Sequence, residues 1–229
     1  FVTAVTGRLQ QLSWQDIQTA TGAGQEAYAA AAQALAKGKR VVVVTGQGLL
    51  RSDQGYAGAM NLLDLLLLLG KLDQPGSGLA PLAEENNDQG AIEMGAVAEF
   101  LPGPVEVTDK SGRDRVLDLW KEAPPATEGL TLVDMLARAK SGQLKAMFIV
   151  GENPLASLPA PLHVRESLDK LDLLVCQELF LTDTAALAHV VLPVCSSLEK
   201  DGTFTNTEGH VQAVRQTVEP AGEARPDWE

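Results

Sequence analysis

The chain is poor in cysteine, in positive charge and in long apolar runs, and each shortage closes a class of function. Only Cys176 and Cys195 occur among 229 residues. Two isolated cysteines are more often reduced core residues than a disulfide, although these two would meet if they lay on neighbouring strands. Lysine and arginine number 18 against 30 acids, a formal net charge of −12. A nucleic-acid surface needs a basic patch to release counterions, and none is visible, so no nucleic-acid partner is expected. The strongest apolar run, Leu62 to Leu69, contains Asp64 and falls far short of the roughly 20 residues of a membrane helix. It reads as a buried helix, and direct membrane insertion is not expected. No basic leader with an apolar core and a cleavage site opens the sequence, so nothing points to secretion.

What is present has the alternation of a packed α/β protein: 45% hydrophobic and 21% charged residues, with apolar stretches broken by glycine and proline. Ser13 offers an N-cap with Asp16 three residues on. Ala23 to Lys37 is a helix stopped at Gly38, Arg40 to Thr45 a strand entering Gly46-Gln47-Gly48, and Asn61 to Gly70 a second helix. Gln74 to Gly90, rich in Pro, Gly, Asn and acid, marks a boundary between units 1–85 and 86–229. Ala91 to Phe100 reads as a short helix and Leu101 to Gly112 as loop, turning at Pro102-Gly103-Pro104. Thr131 to Lys140 is an amphipathic helix ending at Gly142, Ala146 to Val150 a strand and Leu162 to Lys170 a helix. Leu173 to Cys176 and His189 to Leu192 are continuous Val/Leu runs, as expected of parallel strands covered on both faces. Repeated strand, loop and helix units imply right-handed crossovers.

In open α/β sheets ligands bind outside the carboxyl ends of the strands, which directs attention to the polar residues there. Gly46 and Gly48 follow a strand and would let an anion approach the backbone, but the full Gly-x-Gly-x-x-Gly is absent and an ordinary tight turn is about as good a reading. Gly151, Glu152 and Asn153 combine unusual dihedrals with an acid and an amide that can receive donor groups, against the commoner fate of Asn before Pro, a capped turn. Gln177 and Glu178 end the next strand. Thr182 is either a binding hydroxyl or the cap of the following helix. His163, His189 and His210 have no second ligand at metal spacing, so structural or surface roles are expected for all three.

Several of these segments together resemble the molybdopterin oxidoreductase family. Its Phe-x-Thr-x-Thr-Ala is matched by Phe180, Thr182, Thr184 and Ala185. Its Ala-Asp-Val-Val-Leu-Pro is matched by Ala188 to Pro193, with His189 in place of Asp. Its Glu-x-x-Gly-Thr-Phe-x-Asn is matched by Glu199, Gly202, Thr203, Phe204 and Asn206. Gly151-Glu152-Asn153-Pro154, the Glu208 to Gln212 and Gly222 to Trp228 stretches, and Asn86-Asn87-Asp88-Gln89-Gly90-Ala91 with Met94-Gly95 extend the likeness from about Lys39 onward. The resemblance implies an α/β fold with two Rossmann-like parallel-sheet subdomains of the formate dehydrogenase/DMSO reductase type, truncated at both ends.

Catalytic members of that family bind a bis-pterin guanine dinucleotide molybdenum or tungsten centre and usually an iron–sulfur cluster. Cluster binding needs closely spaced thiolates, and the chain has no Cys-x-x-Cys. Formate dehydrogenases carry an arginine three residues before the Asn-Asn pair, suited to a carboxylate substrate. Ala83, followed by Glu84 and Glu85, stands there instead. The chain alone is therefore expected to be inactive and to hold no cofactor or metal. The favoured reading is the C-terminal domain of the large iron–sulfur subunit of NADH-quinone oxidoreductase, complex I, with a structural role. Its partners would be the rest of the parent subunit, which would carry iron–sulfur clusters, and other peripheral-arm subunits, at the cytoplasmic side of the inner membrane. One alternative is a fragment of a formate dehydrogenase alpha subunit with molybdopterin guanine dinucleotide. The other is a stand-alone nucleotide-binding module.

Overall fold

A computed structural model of the chain describes residues 2–229. The chain divides into two compact units, Phe1–Glu85 and Asn86–Glu229. In the first, helices α1 (Val2–Leu9), α2 (Trp14–Thr21) and α3 (Gln25–Lys37) precede β1 (Val42–Thr45), the one-turn α4 (Gln47–Leu50), α5 (Gly55–Leu68) and β2 (Gly78–Pro81). Ser13 caps α2 as expected: its Oγ accepts the Asp16 N–H at 3.1 Å and donates to Asp16 Oδ2 at 2.7 Å. Strands β1 and β2 pair in parallel, Val42 opposite Gly78 and Thr45 opposite Pro81.

Three expectations for this unit need correction. Helix α5 begins at Gly55, not Asn61, because the chain doubles back tightly after α4 and a Cβ on Gly55 would overlap the Leu50 carbonyl. It is not a buried helix either: only Gly55 and Leu66 are buried, while Leu67 and Leu68 are 49% and 39% exposed. A two-stranded ladder is too narrow to cover a helix all round. Finally, β2 lies within the stretch read as a boundary, since a Gly-Leu-Ala-Pro strand owes its pairing to distant β1 and carries no periodicity of its own.

The second unit opens with α6 (Asp88–Glu93), a β3–β4 hairpin (Phe100–Leu101 and Val105–Glu106) about Pro102-Gly103-Pro104, and α7 (Lys110–Trp120). Helix α6 starts earlier than the expected Ala91. Helix α7 replaces what looked like the end of a loop. Its N-cap, Asp109, accepts the N–H groups of Ser111 and Gly112 at 3.0 Å each, and Gly112 leaves the room that Val105 fills. Then come α8 (Leu132–Lys140), β5 (Ala146–Val150), α9 (Pro154–Ser157), α10 (Pro161–Leu168), β6 (Leu173–Glu178), a 3-10 turn (Ala185–Leu187), β7 (Val190–Pro193) and the hairpin β8 (Gly202–Thr205) and β9 (Val211–Val214).

Strands β5, β6 and β7 form the parallel sheet that the Val/Leu runs implied, in the order β5-β6-β7, with Val150 opposite Gln177 and Gln177 opposite Leu192. One face packs Met147, Ile149, Leu174 and Cys176 against Leu136 and Ala139 of α8 and Val164 and Leu168 of α10. The expected second cover is partial: on the other face Phe148, Val150 and Leu173 are 56%, 48% and 44% exposed, while Gln177 is 8% exposed. Successive strands that step the same way with right-handed crossovers put all their connections on one side. Cys176 and Cys195 are free and buried, and burial pushes both thiols above their ordinary value, which keeps them protonated and inert. Among the described residues no helix is long and apolar enough to cross a membrane.

His189 is built into the sheet. Its N–H donates to the Leu174 carbonyl at 2.8 Å, and its Nδ1 accepts the Leu174 N–H at 2.8 Å. The imidazole thus supplies the acceptor that a carboxylate would supply at this position. Removing it in His189→Ala strands an N–H of a buried residue and is expected to cost about 1–2 kcal/mol. His189→Asp restores an oxygen acceptor and most of that stability, as urea unfolding would read; equal losses in both variants refute the assignment.

Candidate functional site

Six of the eight residues singled out from the sequence stand at the carboxyl ends of β5 and β6. Gly151 takes φ 63°, a conformation that favours glycine, while its N–H donates to the Gln177 carbonyl at 2.9 Å. Glu152 is exposed beside it. Asn153 is committed to the fold: its Oδ1 accepts the Thr184 hydroxyl at 2.7 Å and the Thr184 N–H at 3.3 Å, and the same hydroxyl accepts the Leu155 N–H at 3.2 Å. Glu178 Oε1 accepts the Leu179 N–H at 2.8 Å. Thr182 does what a cap does, its Oγ1 accepting the N–H of Ala185 at 3.1 Å, although the helix expected after it shrinks to a single 3-10 turn. Gly46 and Gly48 belong to the first unit, at the start of α4, where a Cβ on either would meet nothing within 4 Å.

Gln177 lines a cavity. It is 8% exposed, and its Nε2 donates to the Asp227 carbonyl at 2.8 Å, which leaves Oε1 available. A strap formed by residues 223–229 crosses the ends of β6 and β7 here. The Arg225 carbonyl accepts the Cys195 N–H at 2.9 Å, and the Arg225 N–H donates to the Pro193 carbonyl at 3.2 Å. Asp227 pairs with Lys200, whose ammonium stands 5.9 Å from the Trp228 ring centroid. Burial lowers the pKa of Lys200 from its ordinary value. Between strap and sheet lies a space of about 590 Å³ bounded by Phe148, Gln177, Leu192, Arg225 and Trp228. Its walls combine aromatic and apolar side chains with the Gln177 amide, Arg225 and the acids Glu223, Asp227 and Glu229, a lining that suits a flat ring bearing hydrogen-bond donors. Sequence reading missed Phe148 and the strap side chains as site residues: Phe148 sits inside the Ala146 to Val150 strand rather than at its end, and the strap lies 50 positions beyond Gln177.

Two other segments prove to be scaffold. Asn87, at φ 68°, uses Oδ1 to accept the Thr205 N–H at 2.9 Å, while Thr205 Oγ1 reaches Glu93 at 3.3 Å. Glu199 accepts the N–H groups of Ser196 at 2.8 Å and Ala221 at 3.0 Å, bonds that hold its carboxyl below its ordinary value. Both join parts of the chain that are distant in sequence. In the first unit, Glu84 beside Ala83 pairs with Arg51, and both side chains are exposed. Among the described residues no group of three or more His, Cys, Asp and Glu could hold a metal ion.

Comparison with known proteins gives a consistent result. The profile described as molybdopterin oxidoreductase matches residues 6–229. The F420-dependent formate dehydrogenase subunit alpha of Methanocaldococcus jannaschii is 38% identical over 207 residues, which are 90% of this chain and 30% of that protein. The probable oxidoreductase YjgC of Bacillus subtilis is 38% identical over 209 residues, 91% of this chain and 21% of that protein. The NADPH-Fe(3+) oxidoreductase subunit alpha of Geobacter sulfurreducens is 34% identical over 225 residues, 98% of this chain and 26% of that protein. The chain thus spans between about a fifth and a third of these relatives. Among solved structures, acetylene hydratase from Pelobacter acetylenicus is 32% identical, with a TM-score of 0.39 over 42% of this chain and 14% of that one.

Proposed function

The chain belongs to the molybdopterin oxidoreductase family, and we propose that it is part of the catalytic subunit of a pterin-dependent oxidoreductase related to formate dehydrogenase. Residues 86–229 would form one wall of the seat for the pterin guanine dinucleotide. The observation that carries this is the strand-end space under the strap, lined by Gln177 together with the rings of Phe148 and Trp228, with Gln177 Nε2 donating to the Asp227 carbonyl. A purine has the size, the flat faces and the N–H donors for it. When bound, the dinucleotide brings the metal that exchanges electrons with the substrate. This chain's residues would bind and orient it: Gln177 by its amide, Trp228 and Phe148 by their ring faces. The names of the relatives support the same reading.

Acid hydrolysis of the purified full-length protein tests it. Near-stoichiometric release of guanine nucleotide is expected, falling to about half in Gln177→Leu and in Trp228→Ala as about 1.4 kcal/mol of binding, a tenfold weakening, is lost. Protein that carries no guanine nucleotide overturns the proposal. A second reading, a structural domain in the large iron–sulfur subunit of complex I, draws on Ala83, Glu84 and Glu85, which offer a carboxylate substrate repulsion where formate dehydrogenases offer arginine. It requires iron–sulfur clusters without molybdenum, tungsten or guanine nucleotide in the same preparation.

A further inference from the structure

Resting on the nucleotide seat described above, we propose that Lys200 is its positioning residue, acting through Asp227 and Trp228 of the strap. Asp227 and Trp228 line the cavity, and Lys200 does not. Its ammonium nevertheless meets both: it pairs with the Asp227 carboxylate and stands 5.9 Å from the Trp228 ring centroid. This pair is unlike the other ion pairs among the described residues. The Lys200 and Asp227 side chains are 22% and 32% exposed, whereas every side chain in the others is at least 51% exposed. Pairs open to water contribute little, while removing one partner from a pair drawn out of water leaves the other charge uncompensated. The charge left behind here would belong to the cavity. Its lining sets Glu223, Asp227 and Glu229 against Arg225 alone, and a dinucleotide with its phosphates is anionic, so an uncompensated Asp227 repels it.

The backbone around Lys200 fixes where that ammonium stands. Glu199, the residue before it, accepts the N–H groups of Ser196 at 2.8 Å and Ala221 at 3.0 Å. Glu199 thus ties the loop after β7 to the chain just before the strap, and Lys200 ties the same loop to the strap's far end. Asp227 is the residue on which these bonds converge: its carboxylate takes the Lys200 ammonium, and its carbonyl accepts Gln177 Nε2 at 2.8 Å. With the ammonium gone, the carboxylate turns toward water, and the carbonyl that orients the Gln177 amide moves with it. The attraction between Lys200 and the Trp228 ring is lost at the same time, since it depends on the positive charge. Gln177 and Trp228 are the amide and one of the two rings that the seat uses for the purine. A single charge outside the lining therefore aligns both.

Guanine nucleotide released by acid from the full-length protein tests it, with Lys200→Met keeping the length of the side chain without its charge and Lys200→Arg keeping the charge. Lys200→Met is expected to weaken binding about tenfold, so that near-stoichiometric content falls to about half, while Lys200→Arg stays near the wild type. A role in packing alone gives the reverse order, since methionine fills the same space and arginine does not. In the double variant of Lys200→Met and Asp227→Asn the content should be no lower than in the poorer single variant, because both changes break one pair; two separate tenfold effects would take it to about a tenth. Silence of the buried Cys176 toward a thiol reagent certifies the fold of each variant. With the wild type loaded, the proposal alone is overturned by an equally loaded Lys200→Met, by equal losses in Lys200→Met and Lys200→Arg, or by additive loss in the double variant. Wild-type protein without guanine nucleotide overturns the seat along with it.

Discussion

Gly90→Ala is expected to destabilise the fold by about 2–4 kcal/mol, because the new methyl collides with a hydrogen bond that cannot be given up cheaply. A Cβ on Gly90 would overlap Asn87 Oδ1 and stand 3.1 Å from Thr205 Oγ1. Asn87 Oδ1 is short of freedom: it accepts the N–H of Thr205, a residue only 6% exposed. Turning Asn87 aside leaves that N–H without a partner. Asn87→Ala reaches the same end by deleting the acceptor, and it also places alanine at φ 68°, so a loss of about 2–3 kcal/mol is expected. Since both changes break one bond, the double variant should lose much less than the sum. Chemical unfolding of the four proteins decides it, and additive losses would show that Gly90 and Asn87 act separately.

The second large effect is Thr184→Val, an almost isosteric change at a side chain with no exposure. Valine fills the space but neither donates to Asn153 Oδ1 nor accepts the Leu155 N–H. A loss of about 2–3 kcal/mol is expected, against about 1 kcal/mol for Thr184→Ser, which keeps the hydroxyl and gives up a methyl. The damage is directed as well as large. Asn153 and Leu155 flank the turn that follows Gly151, so hydrogen exchange at residues 151–155 should accelerate in Thr184→Val and not in Thr184→Ser. Equal stability of the two variants would mean that the hydroxyl is idle.

The parallel strands were legible because they are short, continuous Val/Leu runs bounded by polar residues, and their ends could be located to within two or three positions. Helix α7 was not, since in Lys-Ser-Gly-Arg-Asp-Arg-Val-Leu-Asp-Leu-Trp only Gly112 and Val116 are buried and an apolar stripe never forms. Strand β2 was hidden for another reason, that its pairing is entirely non-local. At the site, the short-range roles of Thr182 and Gly151 could be read from turn chemistry. Asn153 to Thr184, Asn87 to Thr205 and Gln177 to Asp227 could not, being 31, 118 and 50 positions apart. A side chain's partner at such distances leaves no trace in local spacing. Resemblance marked these residues as belonging to one family without saying that several of them hold the scaffold together.

The strap has a consequence for the order in which this site is assembled. The β5-β6-β7 sheet closes through connections of 22 and 11 residues, whereas the strap must return from residue 227 to Gln177 before the cavity has its outer wall. It is fastened there by the Arg225 backbone bonds, the Asp227 carbonyl and an ion pair with Lys200, and the cluster of Met147, Ile149, Leu174 and Cys176 with α8 and α10 is built without it. Long-range closures of that kind come late and open first. A bulky, rigid guest could therefore be laid against a finished sheet while the outer wall is still loose, and be locked in by the last few residues to dock.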